Sequence, residues 1–176
     1  FAKTVRQTSP SFHREIDQVL LSDERYVSIM VFRDGAKTSK LRLFTSKRIA
    51  YGISHTILFV SNSQGHSVKS LEWIKRNVEF NTKWAQTFGL RKGGRWSGED
   101  IEIIHGVEEY PIRVLALGIT GQVRGVNIDD FRPDLIVVDD ADNEETAGSA
   151  EQRKKTSDLF FGALAKSLAP ASEAPH

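Results

Sequence analysis

Arg132-Pro133-Asp134-Leu135-Ile136-Val137-Val138-Asp139-Asp140 decides the fold class of this 176-residue chain. Leu135 to Val138 is an uninterrupted apolar run, and two carboxylates follow it directly. A strand that is apolar on both faces belongs inside a sheet covered on both sides. Asp139 and Asp140 then stand at its carboxyl edge, where open α/β sheets hold their ligands. Two adjacent acids at a buried strand end are costly unless a cation or hydrogen-bond donors compensate. The alternative, in which Asp140 or Asp142 caps a following helix, accounts for one aspartate and poorly for two. In an ATPase the first such acid holds Mg²⁺, usually through water, and the next polarises the attacking water.

About a hundred residues upstream, Tyr26 to Phe32 is a compact run of strand formers that ends in Arg33-Asp34-Gly35-Ala36-Lys37-Thr38-Ser39. A helical pattern follows from Lys37 to about Gly52. Backbone N–H groups in a tight turn, a lysine and a hydroxyl opening a helix are what a phosphate-binding loop requires. The lysine and hydroxyl are present, but the two glycine positions of the full motif hold Val31 and Ala36. An ordinary strand-turn-helix connection capped by Thr38 is the alternative for this segment alone. Taken with the acidic pair, Lys37-Thr38 and Asp139-Asp140 specify a Mg-nucleotide site across two neighbouring strand ends.

The rest of the pattern agrees with an α/β sheet. Ser9-Pro10 reads as a helix start, with Phe12, Ile16, Val19 and Leu20 at helical spacing behind it. Thr56 to Val60 reads as a buried strand, ending in the polar loop Ser61 to Gly65. Ser67 to about Trp84 is helical, with Val68, Leu71, Ile74 and Val78 on one face. Gly89 to Gly98 reads as a basic, glycine-rich loop. Ile101 to Ile104 and Ile112 to Leu117 read as a hairpin, and Gly118 to Arg132 as a loop. Ala150 to Leu168 reads as a helix striped by Leu159, Phe160, Ala163, Leu164 and Leu168. Residues 169–176 read as a flexible tail, and the ends suggest a segment of a longer chain.

Composition narrows the function classes. A net charge of +1 offers no electrostatic argument for a large nucleic-acid footprint. Lys47-Arg48, Lys75-Arg76 and Arg91-Lys92 could touch phosphate, or simply be solvated faces. The absence of cysteine excludes disulfides and thiolate metal sites. The histidines show no metal-ligand spacing. No apolar run approaches the ~20 residues a membrane span needs, and no signal peptide is present. A soluble, intracellular protein without a membrane partner is the expectation.

Four stretches, in order, resemble the large terminase subunit of tailed phages, the ATPase that drives DNA into capsids. They are Ser9-Pro10-Ser11-Phe12-His13-Arg14-Glu15, Phe32 to Thr38, Gly121-Gln122-Val123-Arg124-Gly125 and Arg132 to Asp140, the last being the most specific. The resemblance spans nearly the whole chain. It implies one ATPase domain over residues 1–176, cut short on its C-terminal side and lacking the nuclease domain. The implied fold is a P-loop NTPase of the ASCE type, with a mostly parallel central sheet flanked by helices and an added β-hairpin. The implied cofactors are ATP and Mg²⁺. The implied partners are double-stranded DNA, the portal protein, the small terminase subunit and further copies in a ring, in the cytoplasm of an infected bacterium.

Carried across by position, the resemblance gives Lys37 to the β/γ phosphates and Thr38 and Asp139 to Mg²⁺. Asp140 takes the water-activating place usually held by glutamate. Arg33 lies by the phosphates, within a binding loop of Arg33, Asp34, Gly35, Ala36, Lys37, Thr38 and Ser39. Phe12 and His13 lie near the adenine, with a surface histidine as the alternative for His13. Arg124 is the candidate arginine finger; pairing with Asp129 or Asp130 is its alternative. The family's Arg-Gly-x-x-Lys-Ser/Thr form accommodates Ala36 but places glycine where this chain has Asp34, a carboxylate that would repel phosphate. In such ATPases a strand from beyond the end of this chain normally lies between the two nucleotide-site strands. A helicase-like ATPase and an impaired nucleotide- or DNA-binding module are the competing functions.

Overall fold

The structure, a computed structural model, describes residues 9–119, 132–141, 151, 154, 157, 158 and 160–170. Its centre is a five-stranded open sheet built from β1 (Thr56–Ser61), β2 (Arg91–Trp96), β3 (Asp100–Ile104), β4 (Ile112–Gly118) and β5 (Leu135–Val138), in the order β2-β3-β4-β1-β5. β1 lies between β4 and β5 and is parallel to both, with Val60 level with Leu117 and Val138. β2-β3 and β3-β4 are antiparallel, which makes the sheet mixed.

Period-two alternation sends the apolar residues of the parallel strands to both faces. Ile57, Phe59, Ile112, Val114, Ala116 and Val137 form one face. Against it pack α2 (Lys37–Ala50), through Leu41 and Ile49, α3 (Gln64–Phe80), through Leu71, Ile74 and Val78, and α4 (Thr82–Phe88), through Trp84. Leu58 and Val60 point to the other face, where Leu164 joins them from a terminal helical segment. That segment is π-helical over Phe160–Leu164 and α-helical over Ala165–Ser167. Ile57, Leu58, Ile74 and Leu164 are each at most 1% exposed, and each such side chain is worth about 1.5–3 kcal/mol of transfer free energy. Among the described residues no helix is long and apolar enough to cross a membrane.

Several expectations are corrected. Tyr26–Phe32 forms no strand and belongs to no ladder. Its apolar side chains are not taken into the core: Met30 is 97% and Phe32 68% exposed. Tyr26, Val27 and Ile29 line a cavity of about 490 Å³ beside β5, the first two while still exposed. Arg91–Trp96 is a strand rather than a loop, because it needs only one partner. At Gly93 a Cβ would lie 2.7 Å from Cβ of Glu102, so glycine admits the close approach of β3. Arg95 Nε pairs with Glu102 Oε1 at 3.0 Å across the ladder. The helix expected over Ser67–Trp84 starts at Gln64 and breaks at Asn81, whose side-chain oxygen accepts from Trp84 N–H and opens α4. The first helix, α1 (Phe12–Leu20), is preceded by Ser11 rather than Ser9 at its N-cap. The hairpin expected between residues 101–104 and 112–117 is present as β3-β4.

Candidate functional site

Two turns meet at the carboxyl edge of the sheet. The first is Phe32–Lys37, closed by Gly35 N–H donating to Phe32 O at 3.1 Å. Asp34 (φ 65°) and Ala36 (φ 59°) both adopt the left-handed conformation that favours glycine. These are the two positions where the resemblance and the full motif respectively place glycine. Gly35 is constrained for a different reason: a Cβ there would run into Val31 Cγ1 and lie 3.0 Å from Phe32 O. α2 begins directly after Ala36 with no side-chain cap and no acid in its first turn. Its N-terminal N–H groups and the positive end of its dipole are therefore presented bare, as anion sites require.

The second turn is Asp139-Asp140 after β5. Thr38 Oγ1 donates to Asp139 Oδ2 at 2.5 Å. Lys37 Nζ donates to Asp140 Oδ1 at 2.7 Å and lies 3.4 Å from Asp139 Oδ1. The cation that two adjacent acids require is thus Lys37, brought from a loop outside the sheet. Burial works against its charge, but the hydrogen bond to Asp140 and the fields of both aspartates prevail and hold its pKa above the ordinary value. Asp139 is 9% exposed, and its Oδ1 makes no hydrogen bond among the described residues. Asp140 is largely exposed, with a left-handed backbone (φ 50°).

α1 closes one side of the first turn. His13 Nε2 donates to Gly35 O at 3.2 Å, which leaves Nδ1 buried without a hydrogen bond among the described residues. Phe12 packs on the Phe32 ring at 5.3 Å between centroids. Lys40 Nζ, on α2, pairs with Asp17 of α1 at 2.7 Å. His13 is therefore tied to the loop and is not a free surface side chain. Arg33 and Ser39 are exposed. Arg124 and the Gly121–Gly125 stretch lie outside the described residues.

Among the polar residues to which the sequence assigned no role, Arg42, Asn62, His66 and Lys69 line a cavity of about 310 Å³ with Thr38, Asp139 and Asp140. Arg42 stands one helical turn after Thr38, and its Nε donates to Ser70 Oγ at 3.1 Å. Burial lowers its pKa, while the field of Asp139 raises it. Asn62 and His66 follow β1, whose carboxyl end adjoins that of β5. The strand-end rule pointed to them, but it was applied only to the other two turns.

The donor set suits a hard cation held lightly. A hydroxyl and a buried carboxylate with an unbonded oxygen lie together, as a Mg²⁺ completed by phosphate and water needs. Among the described residues no group of three or more His, Cys, Asp or Glu could hold a metal; a site of the former kind does not require one. Compared with protein-family models and with curated proteins, the chain matches none.

Proposed function

We propose that this chain is a Mg-ATP-hydrolysing domain of the P-loop class, and that it serves as the motor domain of a phage DNA-packaging terminase. The observation that carries the catalytic reading is the meeting of Lys37, Thr38, Asp139 and Asp140 from two turns 101–103 residues apart in sequence. The packaging role, with its DNA, portal and small-subunit partners, its ring and its infected-cell setting, rests on the sequence resemblance.

In this reading the bare N-terminus of α2 and the turn at Asp34–Ala36 bind the phosphates. Lys37 leaves the aspartates to neutralise the β/γ oxygens, so the competition between acids and phosphate for one ammonium sets part of the affinity. Mg²⁺ supplies charge neutralisation at the developing phosphate oxygens. Thr38 and Asp139 would hold it, using the hydroxyl and the unbonded Oδ1. Asp140 orients the attacking water and accepts its proton as the bond between the γ-phosphorus and the β,γ-bridging oxygen breaks, giving ADP and phosphate.

Calorimetric titration with a non-hydrolysable ATP analogue and Mg²⁺ tests the reading. Binding by the parent that disappears in Lys37→Ala supports it. Undiminished binding in Lys37→Ala, or none in either the parent or Asp34→Gly, refutes it. Turnover by the isolated domain is a poorer test, because an arginine supplied in trans is worth ~10³–10⁵ in rate.

A further inference from the structure

Asp140 has one weakness as a water-orienting group. Its carboxylate is exposed, and its only side-chain partner among the described residues is Lys37. Once Lys37 turns to phosphate, nothing so far described would hold Asp140. A freely rotating aspartate, shorter than glutamate, orients water poorly.

β1 supplies a replacement. In the parallel register Val60 is level with Val138, and the ladder continues beyond the strands. Asp139 N–H donates to Val60 O at 2.9 Å, and Asn62 N–H donates to Asp140 O at 3.0 Å. Asn62 and Asp140 are therefore backbone neighbours, at the ~5 Å spacing of adjacent strands. Both line the same cavity as Thr38 and Asp139. His66, one helical turn on, places Nδ1 2.7 Å from Asn62 Oδ1. The amide oxygen can only accept, so His66 Nδ1 carries the proton. The bond fixes the amide's orientation and leaves the two Nδ2 protons without a partner among the described residues. An amide donor with a fixed orientation thus stands beside the carboxylate that is about to lose its lysine.

We infer that Asn62 is a positioning residue for Asp140: its Nδ2–H takes over the carboxylate when Lys37 moves to phosphate, and His66 keeps the amide aimed. Asp140 then faces the water that attacks the γ-phosphorus; that oxygen bonds to phosphorus, the bridging bond to ADP breaks, and Asp140 receives the proton. The inference rests on the Mg-nucleotide reading of the site. It adds the strand end of β1 to that of β5 and to the turn before α2.

The experiment compares two ligands on the same chain, both with Mg²⁺: a non-hydrolysable ATP analogue, and ADP with aluminium fluoride, which imitates the transferring phosphoryl group with its attacking water. Asn62→Ala is expected to bind the analogue within about twofold of the parent and the fluoride complex at least tenfold more weakly, the ~1.4 kcal/mol of one oriented hydrogen bond to a charged group. His66→Ala is expected to show a smaller loss of the same kind. Asn62→Asp keeps the shape but sets a second carboxylate beside Asp140, and should lose at least as much as Asn62→Ala.

Unchanged binding of the fluoride complex in Asn62→Ala and Asn62→Asp overturns the inference. So does equal weakening of both ligands, the mark of a structural effect. Absence of all nucleotide binding removes the Mg-nucleotide reading itself, and a Lys37→Ala control that binds as the parent does removes it too.

Discussion

Replacing Asp34 separates backbone from charge at the turn before Lys37. Asp34 holds φ at 65°, a region that costs about 1–2 kcal/mol for a generic L-residue and less for aspartate. Glycine removes that strain but adds about 0.5–1 kcal/mol of unfolded-state entropy. Asp34→Gly should therefore leave stability within about 0.5 kcal/mol of the parent. Ala36 holds φ at 59° without aspartate's tolerance of the region. Ala36→Gly should gain about 0.5–1 kcal/mol, or some 1–4 °C in Tm for a domain of this size. The electrostatic part is larger. Phosphates held at Lys37 would lie within ~8 Å of Asp34, and at an effective dielectric of ~40 each phosphate charge is repelled by about 1 kcal/mol. Two such charges, screened by salt at an exposed side chain, leave about 1.4 kcal/mol, a tenfold gain in affinity on removing the carboxylate. Asparagine tolerates the left-handed region and removes the charge alone, so Asp34→Asn should tighten binding as much as Asp34→Gly does. Calorimetric titration of the Mg-bound analogue at two salt concentrations measures this, and the gain should shrink at the higher one. Unchanged affinity in both variants would mean that the charge at 34 does not face phosphate and that the turn does not enclose it.

Thr38→Ala removes the donor to Asp139 Oδ2; analogue binding should become insensitive to Mg²⁺, and a retained response to EDTA would deny Thr38 a metal role. Gly35→Ala forces a Cβ into Val31 Cγ1, at a cost of about 1–3 kcal/mol in thermal unfolding, and Val31→Ala in the same chain should recover most of it. Asp134 is buried, and burial pushes its pKa up despite the N–H groups of His55 and Thr56 that donate to it. Its folded form therefore binds a proton more tightly than its unfolded form, so stability falls as pH rises from the ordinary 3.8 through the raised value. Asp134→Asn keeps an acceptor for both N–H groups; in urea unfolding it should gain on the parent as pH rises through that window, and parallel curves would contradict the burial argument.

Legibility followed burial. β1 is an apolar run because both its faces are covered, and sequence carries that directly; β4 and β5, half-buried in part, still keep enough apolar residues to be read as strands. The α3 stripe was readable for the same reason. Tyr26–Phe32 shows the limit: it has strand composition, but membership of a sheet is a property of two segments, and no ladder partner for it exists among the described residues. Arg91–Trp96 failed in the opposite direction. An edge strand needs one partner and no apolar face, so charge and glycine do not forbid it. At the site, Lys37, Thr38, Asp139 and Asp140 were readable as paired chemistry. Arg42, Asn62 and His66 were not, since single polar residues acquire meaning only through register: Asn62 matters because Val60 is level with Val138.

Strain marks the same place from an independent direction. The non-glycine residues with positive φ among the described residues are Asp34, Ala36 and Asp140, and all three belong to the two turns that meet at Lys37. Observed outliers of this kind point toward function. A helix starting at Lys37 for stability alone would carry a Ser, Thr, Asp or Asn cap in an extended conformation. Ala36 instead supplies no cap and a left-handed backbone, which leaves the first-turn N–H groups exposed. At Asp140 the positive φ keeps the carbonyl on Asn62 N–H while the carboxylate reaches Lys37. At about 1–2 kcal/mol each, these conformations oppose folding. What they secure is a bare helix end, a lysine and an exposed carboxylate within one hydrogen bond of each other.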